Sequence, residues 1–235
     1  MCAFTTRPSY AAYIGGPSIS SSANLVERGR ALSIKRVLAV GAHPDDLELG
    51  CGATLAKLVA SGIHVRALIF SDGVRGLLED HDRCAETYVA LRRLGVTDIV
   101  QSRLPDTQLQ SVAPQLVRIL ETHCEEFRPD RVYTMFKDDR HQDHRAVYEA
   151  TIVACRSVPQ ILSYETPSSW PDFMPVVFEF VEEFMTAKVE ALKFHVSQKH
   201  RAYMLEQQVR CNAQFRGHQV GLGPSEGFIP YKLVL

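Results

Sequence analysis

Residues 37–52, VLAVGAHPDDLELGCG, constrain the fold more than any other part of this chain. An unbroken apolar run, Val37-Leu38-Ala39-Val40, reads as a buried strand. Gly41 and Ala42 keep side-chain bulk low at its end. Four polar or rigid residues follow: His43, Pro44, Asp45 and Asp46. Beyond Gly50 and Gly52 a helical spacing begins, with Leu55, Leu58 and Val59 on one face, which predicts a helix over 50–61. Strand, polar loop and helix make the repeating unit of a parallel α/β sheet. Such sheets bind ligands at the carboxyl ends of their strands, where the loop 43–48 falls.

A histidine and two carboxylates within four residues point to a metal. Neutral imidazole and carboxylate suit zinc, and a catalytic zinc needs three protein ligands and one open position. Neighbouring Asp45 and Asp46 side chains diverge, so one can bind metal while the other faces a water. The plain alternative is a turn whose Asp46 or Glu48 favours the helix N-terminus by about 0.3–1 kcal/mol. A dinucleotide site fits poorly: the loop is not G-x-G-x-x-G, and two carboxylates repel a pyrophosphate.

A third ligand must come from elsewhere in the chain. The second polar cluster is residues 137–145, KDDRHQDHR. It follows the apolar stretch 131–136 and precedes a helix with Val147, Ala150, Thr151 and Ala154 on one side. His141 and His144 are three apart, so one helical turn puts them on the same side. Asp143 is placed to orient an imidazole by accepting its second N–H. Two such loops at the ends of two parallel strands can meet although they are far apart in sequence.

AHPDDLELGCG together with HQDH resembles the LmbE-like, or PIG-L, de-N-acetylases, from about Lys35 to the C-terminus. Looser features are YETPSS at 164–169, KVEALKFHVSQ at 188–198 and RGHQVGLGPSEGF at 216–228. These resemble the bacterial branch that acts on soluble amino-sugar conjugates. The resemblance implies His43, Asp46 and His144 as metal ligands and Asp45 as general base. It implies His141 as the residue that stabilises the oxyanion or protonates the leaving amine, and Arg83 as a substrate contact. It also implies zinc, with Fe2+, Co2+ or Mn2+ as other working metals, and an N-acetylated sugar as substrate. Ala53 stands where a third glycine is frequent in the family, and Gly227 where alanine is common. Relatives often form homo-oligomers, although no interface signature is legible here.

The expected fold is therefore a Rossmann-like, doubly wound, mostly parallel α/β sheet with site loops at the strand C-terminal ends. Further strands are expected at 65–70, 99–101, 161–164 and 176–180, with helices near 81–94 and 112–127. Residues 183–213 read as largely helical, and 228–235 as a last strand. The loop Leu104-Pro105-Asp106 reads either as a plain turn or as an approach to the site. His195, His200 and His218 read as surface or packing residues. Residues 1–33, with Gly15-Gly16-Pro17 and a serine run, read as an extension to a deacetylase domain at 34–235.

Composition narrows the partners. The 235 residues carry a formal net charge of −1, which gives no basic excess for nucleic acid. No apolar run approaches the roughly 20 residues of a membrane span. No secretory signal is evident, and the six cysteines show no C-x-x-C pair or disulfide spacing. Reduced thiols and a cytoplasmic location follow as the expectation.

The residues themselves support metal-assisted hydrolysis, and the sugar substrate comes from the resemblance alone. Two rivals are a non-haem Fe(II) oxygenase, built on His43, Asp45 and His144 as a two-histidine, one-carboxylate triad, and a non-catalytic metal-binding module. The first sits badly with β/α alternation. The second leaves a spare carboxylate beside the metal unexplained.

Overall fold

The computed structural model describes residues 33–75 and 81–235. Ser33–Leu235 forms one compact unit. Expectations about residues 1–32 lie outside the described residues. At the centre stands β1 (Arg36–Gly41), whose Val37, Leu38, Ala39 and Val40 are fully buried. Each buried valine or leucine contributes about 1.5–3 kcal/mol, so this run anchors the sheet. β1 pairs in parallel with β2 (His64–Ser71) on one side and with β4 (Arg131–Thr134) on the other. β3 (Asp98–Leu104) extends the sheet beyond β2, and β5 (Gln160–Tyr164) extends it beyond β4, both in parallel. β7 (Ser225–Leu233) and β6 (Val177–Phe180) complete one edge antiparallel, giving the order β3-β2-β1-β4-β5-β7-β6.

The chain leaves β1 toward β3, then crosses back to β4 and continues outward. The strand order therefore reverses between β1 and β4. A crevice opens at such a switch point, above the carboxyl ends of the two strands. The two polar loops of the sequence are the two that leave β1 and β4.

Six α-helices connect or cover these strands among the described residues: α1 (Asp46–Ala60), α2 (Arg83–Arg93), α3 (Ala113–Phe127), α4 (Gln142–Ala154), α5 (Met185–Leu192) and α6 (Glu206–His218). On α4, Val147, Ala150, Thr151 and Ala154 form the expected buried face. The stretch expected to be helical at 183–213 is two helices separated by short 3-10 turns. β7 starts at Ser225, earlier than expected, because Ser225 to Phe228 pair with β6. No helix among the described residues is long and apolar enough to cross a membrane.

α1 departs most from its sequence pattern. It begins at Asp46, four residues before the predicted start, and bends at Cys51, whose φ of −141° is not helical. Gly50 is therefore not a boundary. A Cβ at Gly50 would lie 2.1 Å from the Tyr164 ring, so glycine there lets the helix touch β5. The Tyr164 hydroxyl donates to the Val40 carbonyl at 2.8 Å, tying β5 to β1 below the site. Beyond the bend, the freed N–H groups of Ala53 and Thr54 donate to Glu226 Oε1 and Oε2 at 3.1 and 2.7 Å. A carboxylate from β7 thus caps the second half of α1. Lys188 on α5 donates to the same Glu226 and to the Leu49 carbonyl, both at 2.6 Å.

Candidate active site

The loop after β1 makes a sharp entry into α1. Asp45 has φ 96°, a left-handed conformation that costs a non-glycine residue strain and that asparagine and aspartate tolerate best. The turn directs Asp45 and Asp46 to different partners. Asp46 Oδ2 accepts the N–H groups of Ala42 and His43 at 3.0 and 2.7 Å, which closes the loop on itself. Asp45 Oδ2 lies 3.2 Å from the Arg83 guanidinium.

Asp46 sits between two imidazoles. Its Oδ2 is 3.5 Å from His43 Nδ1, and its Oδ1 is 3.3 Å from His144 Nε2. His144 comes from the first turn of α4, across the crevice. Each imidazole has a carboxylate at its far nitrogen. His43 Nε2 is 3.1 Å from Asp143 Oδ2 and 3.3 Å from Asp106 Oδ1. His144 Nδ1 is 3.0 Å from Asp139 Oδ2. These contacts hold a proton on the far nitrogens, so His43 Nδ1 and His144 Nε2, both facing Asp46, are the atoms that would exchange a second ring proton for a metal. Metal-binding histidines are oriented in this way. Asp143 is itself held by the Leu109 N–H, at 3.0 Å from Oδ1. Asp139 accepts from Thr166 Oγ1 at 2.6 Å.

The charge balance supports a cation here. Asp46, Asp106, Asp139 and Asp143 face two imidazoles, and all four side chains are at most 8% exposed. Burial alone would discharge the histidines. Instead Asp106, Asp143 and Asp46 hold His43 well above its usual range, and Asp46 and Asp139 raise His144 to about 9. In return, and against burial, His144 and His43 hold Asp46 well below the carboxylate range. His144 and the hydroxyls of Ser168 and Thr166 hold Asp139 at about 2. Two nitrogens and a carboxylate oxygen, in excess negative charge, are a donor set suited to a divalent metal.

His141 lies at the start of α4, where its Nδ1 accepts the Asp143 N–H at 3.2 Å. That bond leaves the proton on Nε2. Burial and the neighbouring charges of His43 and His144 lower its pKa, so the ring is neutral with one N–H to give. Its ring stacks on His144 with centroids 4.7 Å apart. Two groupings among the described residues bring their ligand atoms within 4.8 Å of one another and could hold an ion: His43 with His141 and His144, and His43 with Asp106 and Asp143.

Asp45 is 6% exposed, and burial raises its pKa to about 6 against the opposing charge of Arg83. Arg83 is 7% exposed and donates to the Pro44 and Gly73 carbonyls at 2.6 and 2.5 Å. It braces the loop from beneath as well as pairing with Asp45.

Several partners were not singled out from the sequence. Asp139 lies within KDDRHQDHR but carried no assigned role there. Asp106 resolves as an approach to the site, 3.3 Å from His43, and not as a plain turn. Glu48 is 1% exposed and accepts from Thr87 Oγ1 at 2.8 Å, with His195 Nε2 at 3.0 Å. His195 is thus a packing residue beneath α1, while His200 and His218 are exposed. Ala53 is fully buried in a cluster with Val181, Met185 and Val189. A Cβ at Gly227 would lie 2.8 Å from the Pro175 ring, which accounts for glycine at that position.

Residues 38–155 match the family model of the GlcNAc-PI de-N-acetylases, PIG-L. The chain is 47% identical over 169 residues to the uncharacterized deacetylase YaiS of Escherichia coli, covering 69% of this chain and 91% of that protein. It is 30% identical over 129 residues to the diacetylchitobiose deacetylase of Thermococcus kodakarensis, covering 48% of this chain and 46% of that one. The conserved protein TT1542 from Thermus thermophilus superposes with a TM-score of 0.75 at 26% identity, over 86% of this chain and 97% of that one. A doubly wound sheet with these relatives defines a deacetylase class of hydrolase. The chain belongs to the PIG-L, or LmbE-like, family of de-N-acetylases. Deacetylases of this family act on N-acetylated sugar conjugates and use a divalent metal ion.

Proposed function

We propose that this chain is a zinc-dependent hydrolase that removes the acetyl group from an N-acetylated amino sugar or N-acetylglucosaminyl conjugate. We infer this from two loops, 98 residues apart at Asp46 and His144, that meet as a carboxylate between two imidazoles, each backed by a second carboxylate. His43, Asp46 and His144 hold the metal, and Asp143 fixes the His43 ring. Zinc is the ion the donor set favours, with Fe2+, Co2+ and Mn2+ compatible with the same ligands. When bound, the metal polarises the acetamide carbonyl and acidifies a water.

Asp45 takes the proton from the attacking water, because its carboxylate is beside the ligands yet held by Arg83. His141 donates its Nε2–H to the carbonyl oxygen as negative charge develops there. Asp45 then returns the proton to the amine nitrogen as the C–N bond breaks, leaving acetate and a free amino sugar. The family resemblance makes Arg83 a substrate-binding residue, and here its guanidinium lies 3.2 Å from Asp45 Oδ2, which places it beside the proposed base. The catalytic domain in this reading is residues 34–235, with residues 1–33 as an extension, and the enzyme works in the cytoplasm.

An oxygenase triad of His43, Asp45 and His144 is disfavoured because Asp46, not Asp45, lies between the imidazoles. The test is metal content and acetate release from N-acetylglucosamine conjugates in two variants. Asp45→Asn keeps its metal and loses about 10²–10⁴-fold in kcat. Asp46→Asn loses metal and activity together. Asp45→Asn shedding metal while Asp46→Asn retains it would reverse the two roles.

A further inference from the structure

Two thiols that the proposed chemistry does not use meet behind the site. The sulfurs of Cys124 and Cys155 lie 3.1 Å apart. Cys124 is in the last turn of α3, and Cys155 follows directly after α4. Cys124 is half-buried and Cys155 is buried. Both backbones are fixed. The Cys155 N–H donates to the Thr151 carbonyl, and the Cys155 carbonyl accepts the Val158 N–H, each at 2.9 Å. The Cys124 carbonyl accepts the Arg128 N–H at 2.9 Å. Arg156, next to Cys155, reaches Glu121 of α3 at 2.8 Å, and Lys232 of β7 donates to the Arg156 carbonyl at 2.7 Å. The two helix ends are thus pinned where the sulfurs meet.

The pair is asymmetric. A hydrogen bond from the Cys155 thiol holds Cys124 below the ordinary thiol range, against burial and the charges of Glu121 and Glu125. The same bond, together with burial, holds Cys155 above that range. The thiolate is the nucleophile in sulfur chemistry, so the half-buried member meets a solvent oxidant first and the buried one answers it. Burial raises the thiols of Cys51 and Cys84, which makes both poorer nucleophiles at neutral pH. The position of the pair gives a bond there a consequence. The two cysteines are 31 residues apart, and the loop that a bond would close contains β4, the KDDRHQDHR loop and all of α4. That loop carries His141, His144 and the carboxylates Asp143 and Asp139 behind the two metal-facing imidazoles.

We propose that Cys124 and Cys155 are a redox modification site, where a hydroperoxide converts the two thiols into a disulfide that locks α3 to α4 around the second polar cluster. The Cys124 thiolate attacks a peroxide oxygen and the O–O bond breaks. A sulfenic acid forms on Cys124, and the alcohol, or water from hydrogen peroxide, leaves with the proton Cys124 gave up. The Cys155 sulfur then attacks the sulfenic sulfur, the S–O bond breaks, and water leaves with the Cys155 proton. The two thiols are oxidised by two electrons and the peroxide is reduced by two. An external dithiol reverses the link by exchange. From 3.1 Å the sulfurs need approach by only about 1 Å to reach bonding distance. The test treats the full chain with hydrogen peroxide, then alkylates, maps peptides by mass spectrometry, melts the protein and follows amide hydrogen exchange. The expected product is a Cys124–Cys155 peptide lighter by two hydrogens. Its Tm should stand about 4–16 °C above that of the reduced protein, the range for closing such a loop. Exchange across residues 131–154 should slow, and dithiothreitol should reverse all three changes. Cys155→Ser should stop at a sulfenic acid on Cys124, trapped by dimedone, with no gain in Tm. Cys124→Ser, at a half-buried position, should leave Cys155 unreacted and Tm unchanged by peroxide. A sulfenic acid on Cys155 in Cys124→Ser overturns the assignment. So does a disulfide through Cys84 or Cys211 in place of the Cys124–Cys155 bond, or a Cys124–Cys155 bond that leaves Tm and exchange as they were.

Discussion

Replacing Lys188 or Glu226 tests how the bend in α1 is held. The two side chains are 6% and 4% exposed, so solvent screens their attraction little. Removing one partner of a buried pair costs about 3–5 kcal/mol, because the other charge is left uncompensated. The two ends of that range belong to different residues. Lys188→Met leaves Glu226 with the Ala53 and Thr54 N–H groups at a helix N-terminus, a favourable place for an anion, so the cost should be about 3 kcal/mol. Glu226→Leu strands the ammonium and also uncaps both amides, so the cost should be about 5 kcal/mol. At about 2–4 °C per kcal/mol for a unit of this size, Tm falls by roughly 6–12 °C and 10–20 °C respectively. The double variant should be more stable than Glu226→Leu alone, because no unpaired charge remains. Thermal and denaturant unfolding of the three variants checks the order. Strict additivity of the two single effects, or a larger loss for Lys188→Met, would refute a charge pair that caps the helix.

Other outcomes follow from neighbouring contacts. Burial opposes it, but Glu48 raises His195 above its ordinary 6.5. Stability from this pair is therefore complete below about pH 6.5 and declines as pH rises through the raised folded value. Unfolding free energies measured against pH should slope downward there in the parent and lose that component in His195→Gln. Gly50→Ala forces a methyl onto the Tyr164 ring and should destabilise by about 1–3 kcal/mol, and an unchanged Tm would show that β5 yields freely. Cys124 and Cys155 bring their sulfurs to 3.1 Å between α3 and the end of α4. Diamide should join them as a disulfide found by peptide mapping, and two free thiols after treatment would show that the helices cannot close the remaining distance.

Much of the plan is local and so was written in the sequence. Val37 to Val40 read as a buried strand, which puts the polar residues directly after it at that strand's end. The same holds for KDDRHQDHR after β4. The regular alternation that follows fixes a doubly wound sheet, because parallel neighbours need helical crossovers. The motif pair was sufficient to name His43, Asp45, Asp46, His141 and His144 as candidates.

What the sequence left open depended on approach between distant segments. Gly50 read as a helix boundary because glycine usually breaks helices, yet here its missing side chain admits Tyr164 from β5. Asp106 read equally as a turn, since its partner His43 is 63 residues away and nothing local reveals the contact. Asp139 differed in no visible way from the charged residues around it until the fold set it behind His144. Glu226 and Lys188 lie in stretches that only packing could bring together. Composition and spacing report which groups a chain carries and which face of its own element they occupy. Which carboxylate backs which imidazole, and which charge cancels which, is decided by tertiary geometry, because hydrogen bonds and desolvation act over a few ångströms of space whatever the separation along the chain.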